Sequence, residues 1–104
     1  MPIDLSLTEF FEAEFVKVLD GKSFVAKVFL GFDVTIKAVI SIRGYQPLKG
    51  SEERLEDLTL WSKRILVIRP RKTEFDDPWD ANIILIDGQD LATKLASEGC
   101  GRLL

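Results

Sequence analysis

The densest run of side chains able to do chemistry lies between positions 63 and 80. Lys63, Arg64, Arg69, Arg71 and Lys72 put five basic residues within ten, enough for a local patch that touches phosphates. Glu74, Asp76, Asp77 and Asp80 follow at once. Their charge can cancel such a patch, and a solvated charged loop is the plainer reading. Carboxylates at short spacing also suit Ca²⁺ or Mg²⁺, but the run lacks the regular alternation and the glycine of an EF-hand loop and reads better as acidic surface. Tyr45 and Trp79 could stack on a base, as aromatics do on oligonucleotide-binding faces, or equally fill a pocket. Lys22, next to Asp20-Gly21, could hold an anion or be a solvated hairpin lysine. Cys100 reads as a small apolar residue beside a helix end.

The inventory around these residues is narrow. Among 104 residues there is no histidine and a single cysteine, Cys100. Ser-His-Asp and Cys-His catalysis are excluded, as are an intramolecular disulfide, a thiolate zinc cage and the usual iron–sulfur ligation. Carboxylate, lysine, arginine or oxygen-ligated metal chemistry remains. No cofactor and no metal site is expected. Fourteen basic residues against 17 acidic give a net charge of −3, so no global positive field draws in phosphates, and nucleic-acid binding needs a local patch. The sequence MPIDLSLTEFF has no basic region followed by an apolar run and is not a secretory signal. No stretch approaches the roughly 18–20 apolar residues of a membrane span. A soluble cytoplasmic protein with no membrane partner is the expectation.

The elements that must position these residues follow from periodicity. With 46% hydrophobic and 30% charged residues, the chain has the composition of one globular domain. A weak two-residue alternation covers residues 3–7. Residues 13–19 read as a strand, Asp20-Gly21 as a hairpin turn whose residues tolerate positive φ, and residues 23–29 as the next strand. After Gly31 and Asp33, the residues Val34, Ile36, Ala38, Ile40 and Ile42 fall on one face of the clearest strand. Gly44, Pro47 and Gly50 mark a loop. Ser51 is placed to cap a helix running to about Lys63, with Glu52 and Glu53 in its first turn and Leu55, Leu58 and Trp61 as its buried stripe. Residues 65–68 form a strand ended by Pro70, and residues 82–86 another stopped by Asp87-Gly88. Asp90 starts a short helix with Leu91, Ala92, Leu95 and Ala96 on one face and Gly99 as a left-handed C-cap. Segregated strands and helices with hairpin links predict an α+β fold, and a small barrel would remove exposed strand edges.

Two of these pieces, in this order, resemble the staphylococcal nuclease-like family. Leu19-Asp20-Gly21-Lys22-Ser23 matches the family's hydrophobic-Asp-Gly-Asp-Thr hairpin. Asp87-Gly88-Gln89-Asp90-Leu91 through Leu95 to Glu98-Gly99-Cys100 matches its strand, Asp-Gly, short helix and acidic-Gly ending. Leu30–Phe32 is similar to the longer hairpin of phage and bacterial members. The resemblance covers residues 13–101 and leaves residues 1–12 as an N-terminal extension of a single domain over 1–104. It implies a five-stranded OB-type barrel with two helices. In active members it also implies phosphodiester hydrolysis by Ca²⁺ on two aspartates, a glutamate that activates water, and two arginines that neutralise phosphorane charge.

Carried across, that catalytic set fails. The first metal-binding aspartate falls on Lys22, the second near Gln46, and the glutamate on Leu48. The first arginine falls on Ser41 or Lys37 and the second on Trp79 or Asp80. Electrostatic contacts of this kind contribute about 10²–10³ in rate each, so the expectation is a non-catalytic barrel. Asp20, Lys22, Ser41, Gln46, Leu48 and Trp79 would line a vestigial cleft. The chain ends at Leu104, soon after the last helix, so apolar surface near Cys100, Leu103 and Leu104 is expected to lie open. These features point to a protein-binding or adaptor module, with a protein partner or self-association, of a bacterial or phage accessory kind. The alternatives are a nucleic-acid-binding barrel using Lys63, Arg64, Arg69, Arg71 and Lys72, and a residual Ca²⁺-dependent phosphodiesterase using Asp20 with the acidic run.

Overall fold

Ala38, Ile40 and Ile42 are buried while Lys37 and Val39 face out, the two-residue period of a strand with one face against a core. In the computed structural model, which describes residues 10–71 and 78–104, that period builds a closed barrel. β1 (Phe10–Val18), β2 (Ser23–Gly31) and β3 (Val34–Ile42) form an antiparallel meander. Then come β4 (Tyr45–Pro47), α1 (Ser51–Trp61), β5 (Arg64–Arg71), β6 (Trp79–Ile84), α2 (Leu91–Ser97) and β7 (Gly101–Leu103). β5 pairs antiparallel with both β1 and β6. β6 lies parallel to β3 and matches Ile40, Ser41 and Ile42 with Trp79, Asp80 and Ala81, which closes the order β1-β2-β3-β6-β5. This is the α+β fold expected from the sequence, a small five-stranded OB-type barrel with two helices.

Inward side chains of all five strands meet at the centre, where the Phe15 and Phe24 rings lie 4.5 Å apart in a tilted pair, a favoured aromatic geometry. Leu55 and Leu58 of α1 and Leu91 and Leu95 of α2 are buried against the barrel. Each fully buried leucine contributes about 1.5–3 kcal/mol relative to exposure. No helix among the described residues is long and apolar enough to cross a membrane.

Several boundaries differ from the expectation. β1 begins at Phe10, so the barrel takes in residues 10–12, which the resemblance leaves to an extension; the alternation over residues 3–7 lies outside the described residues. β4 and β7 form a separate two-stranded antiparallel sheet, and three residues each are too few to show a period. The helix stops at Trp61 rather than near Lys63, because Ser62 leaves the spiral. Its N–H still reaches Leu58 O, but its hydroxyl donates to Arg64 O and accepts from Ile86 N at 3.0 Å. Trp61 is 54% exposed. A strict interval of three rotates about 60° further round the helix at each step, so Leu55 and Leu58 are buried and Trp61 swings off the stripe. At the other end Gly50, at φ 93°, occupies the N-cap position and Ser51 is the first helical residue. Asp90 caps α2 as expected, its carboxylate accepting from Thr93 N and Oγ1 at 3.0 Å, and Gly99 follows at φ 77°.

Candidate functional site

The β1–β2 turn closes on itself. The Asp20 carboxylate accepts from Lys22 N at 2.9 Å, and Ile42 N donates to Lys22 O at 2.9 Å, while both side chains stay exposed. Gly21 is not at positive φ; its role is close approach. A Cβ there would sit 2.8 Å from Pro47 Cβ, under the closest spacing that carbon atoms tolerate, and a tight 3.3 Å from Ser51 Cβ. The turn is thus pressed against β4 and the start of α1.

Tyr45 and Ser51 complete that contact. Ser51 is almost fully buried and donates to Gly21 O at 2.6 Å, while its hydroxyl lies 2.7 Å from the Tyr45 hydroxyl. Tyr45, 3% exposed, also donates to Cys100 O at 3.1 Å. Gly101, opposite, lies under the Tyr45 ring with no room for a Cβ. Burial pushes the Tyr45 hydroxyl pKa up against the lowering effect of the Ser51 hydrogen bond. The phenol therefore stays neutral in the physiological range and serves as a structural linker rather than a base.

The six cleft positions lie at the end of the barrel where β3 leaves, β6 enters and β1 turns into β2, but they do not form a reactive cluster. Asp20 and Lys22 sit on the turn. Gln46 accepts from Arg102 Nε at 2.8 Å across the β4–β7 pair, and Leu48 is exposed. Ser41 lies between Ser23 and Asp80 in the ladder. Trp79, 7% exposed, points into the core. Neither it nor Tyr45 is free to stack on a base, so both aromatics take the pocket-filling role. Among the described residues no three acidic or cysteine side chains gather as a cation site would require. Asp76 and Asp77 of the acidic run, with Glu74, lie outside the described residues, as does Lys72.

The basic run does not make one patch. Lys63 precedes β5, Arg64 begins it, and Arg69 and Arg71 lie at its end, so Arg64 and Arg69 are separated by five strand residues, about 17 Å. Lys63 Nζ faces Glu14 at 3.9 Å, and the Arg64 guanidinium lies 4.9 Å over the Phe29 ring. Arg71 stands opposite Asp80 in the ladder. Arg69, at φ 48°, belongs to the irregular step between Ile68 and Arg71. Its carbonyl is held by an arginine that the sequence reading gave no role. Arg43 spans the β3–β6–β5 seam, donating to Asp80 Oδ2 at 3.3 Å, Asn82 Oδ1 at 3.1 Å and Asp80 O at 2.6 Å, as well as to Arg69 O. A guanidinium so engaged is a clamp, not a phosphate ligand.

Two further features stand out, the first without a signal in the sequence and the second on the Leu30–Phe32 hairpin that the sequence marks. On the outer wall, Glu12, Arg64, Leu66, Ile84 and Ile86 border a groove of about 290 Å³, apolar apart from one acid and one base. At the β2–β3 turn, Gly31, Phe32 and Asp33 all have positive φ, 93°, 51° and 62°, and Phe32 is 103% exposed. Gly31 pairs with Val34, so Phe32 and Asp33 are the two central residues of the turn, where asparagine and glycine are the ordinary occupants. The signal in the sequence was the Gly-Phe-Asp triplet at 31–33 between two long strands. Compared with known proteins, the chain matches no family model and no curated protein sequence.

Proposed function

We propose that this protein is a non-catalytic, staphylococcal nuclease-like barrel that works as a protein-binding module, with the β2–β3 hairpin as its contact arm. The observation that carries this reading is Phe32. A bulky aromatic in the left-handed region costs about 1–2 kcal/mol, and a fully exposed phenyl ring recovers none of it through packing. Backbone strain retained at an exposed side chain is the pattern of a contact site, and aromatic residues dominate the energetics of protein interfaces. The residue types at Lys22, Gln46 and Leu48, where the resemblance places two aspartates and a glutamate, support the absence of catalysis.

The test compares the protein with its Phe32→Asn variant as baits in an extract of the organism that encodes it, with quantitative mass spectrometry of the captured proteins. Asparagine suits positive φ, so the variant stays folded and any loss of capture belongs to the ring. The expected result is at least one partner enriched by the natural protein and depleted with the variant. Identical captures from both, or none from either, would contradict the reading.

A further inference from the structure

The outward face of the β2–β3 hairpin carries a charge pattern at odds with the acidic chain. Lys27 and Lys37 are direct cross-strand partners, both exposed. Like charges placed opposite each other destabilise a sheet. Lys17 adds a third exposed cation, since its ladder partner is Val25, two residues from Lys27 on β2. Among the described residues none of these three lysines is in a salt bridge. Glu14, the other ladder partner of Lys27, already faces Lys63. Four acidic residues collect instead on α1, as Glu52, Glu53, Glu56 and Asp57.

The lysine row is flanked by uncharged rows. Val25 pairs with Val39 on one side and Phe29 with Thr35 on the other, and Val39 is exposed. A strand laid along this face presents every second side chain to it, so its facing positions meet valine, lysine and then the phenylalanine–threonine row. The complement is an extended segment with alternating aliphatic and acidic residues. Phe29 is covered by the Arg64 guanidinium, which leaves aliphatic rather than open aromatic surface beside the lysines; that suits a peptide better than a stacked base. A second copy docked face to face would oppose lysine to lysine.

We infer that this face, built on Lys17, Lys27 and Lys37 with Val25 and Val39, docks an acidic, extended segment of another protein. The inference rests on the reading of the β2–β3 hairpin as a contact arm and specifies its partner. The probe is a fluorescein-labelled peptide repeating Val-Ser-Glu-Ser, titrated with protein and followed by fluorescence anisotropy. Controls are the matching Val-Ser-Lys-Ser peptide and an oligothymidylate of equal length. The acidic peptide is expected to bind and the lysine peptide not to. Binding should weaken about tenfold or more in the Lys27→Glu/Lys37→Glu variant, less in Lys27→Gln/Lys37→Gln, and also on raising salt from about 50 to about 300 mM. Both lysines are exposed, and the glutamine variant relieves their like-charge pair, so thermal melts should show Lys27→Gln/Lys37→Gln at least as stable as the natural protein, while Lys27→Glu/Lys37→Glu, which sets two carboxylates opposite each other and beside Glu14, should stay folded with at most a small loss. No binding of the acidic peptide, equal binding by the charge-reversed variant, or tighter binding of oligothymidylate would overturn the inference. Phe32-dependent capture of a partner by the Lys27→Glu/Lys37→Glu variant would leave the contact-arm reading standing and remove only the acidic docking face.

Discussion

A methyl group added at Gly21 has nowhere to go. Its nearest neighbours are Pro47 Cβ at 2.8 Å and Ser51 Cβ at 3.3 Å, both anchored by backbone. Gly21→Ala is therefore expected to destabilise the protein by about 1–3 kcal/mol, read as a lower urea midpoint; an unchanged midpoint would show that the turn is not wedged. Ser51→Ala takes the donor from Gly21 O and leaves the Tyr45 hydroxyl with Cys100 O alone, with an expected loss of about 1–3 kcal/mol in the same measurement. Phe32→Asn should move the other way. It relieves positive φ and removes no packing, so a gain of about 0.5–1 kcal/mol is expected; a loss would mean that the ring is held by the fold. The Asp-Gly pair was legible as a hairpin, but the reason for its glycine was not, because it depends on residues that lie far along the chain and meet the turn only after folding.

At the scale of elements, α1 and α2 are tied by Arg54, whose guanidinium hydrogen-bonds both carboxylate oxygens of Glu98. That hydrogen bond holds the Glu98 carboxyl below its ordinary value, against a small opposing effect of burial. A lowered folded pKa contributes stability that is present above the unfolded carboxylate pKa and lost as pH falls through the folded one. Arg54→Met should accordingly reduce Tm at neutral pH and close the gap to the natural protein in acid. The effect is modest, because both side chains are partly exposed. Parallel Tm curves at all pH values would contradict the coupling. The basic run teaches a related lesson. Five cations within ten residues look like one patch in sequence, but a strand advances about 3.3 Å per residue and sends Lys63 and Arg64 to one end of β5 and Arg69 and Arg71 to the other. The lysine row on the outer face was hidden for the opposite reason: Lys27 and Lys37 are ten positions apart and become neighbours only through the hairpin register.

For the whole molecule, the barrel was legible because strand alternation and turn chemistry are local. The buried positions 38, 40 and 42, the Asp90 cap and the left-handed Gly99 all follow from residues close in sequence. The parallel β3–β6 closure, the β4–β7 pair and the Arg43 clamp are long-range and leave no local signature. The lack of a calcium site at the carried-over positions was legible in residue types, since lysine and leucine offer a calcium ion no oxygen and glutamine offers no charge; the buried Tyr45–Ser51 contact against Gly21 was not. Protein incubated with Ca²⁺ and single-stranded DNA is expected to leave the DNA intact, and cleavage that disappears in Asp20→Ala would reinstate metal chemistry. The most direct test of a binding module built on the β2–β3 arm remains the paired capture by the natural protein and its Phe32→Asn variant. The predicted result is a partner retained by the first and lost by the equally folded second; a partner set unaffected by Phe32→Asn, or no partner for either protein, would contradict it.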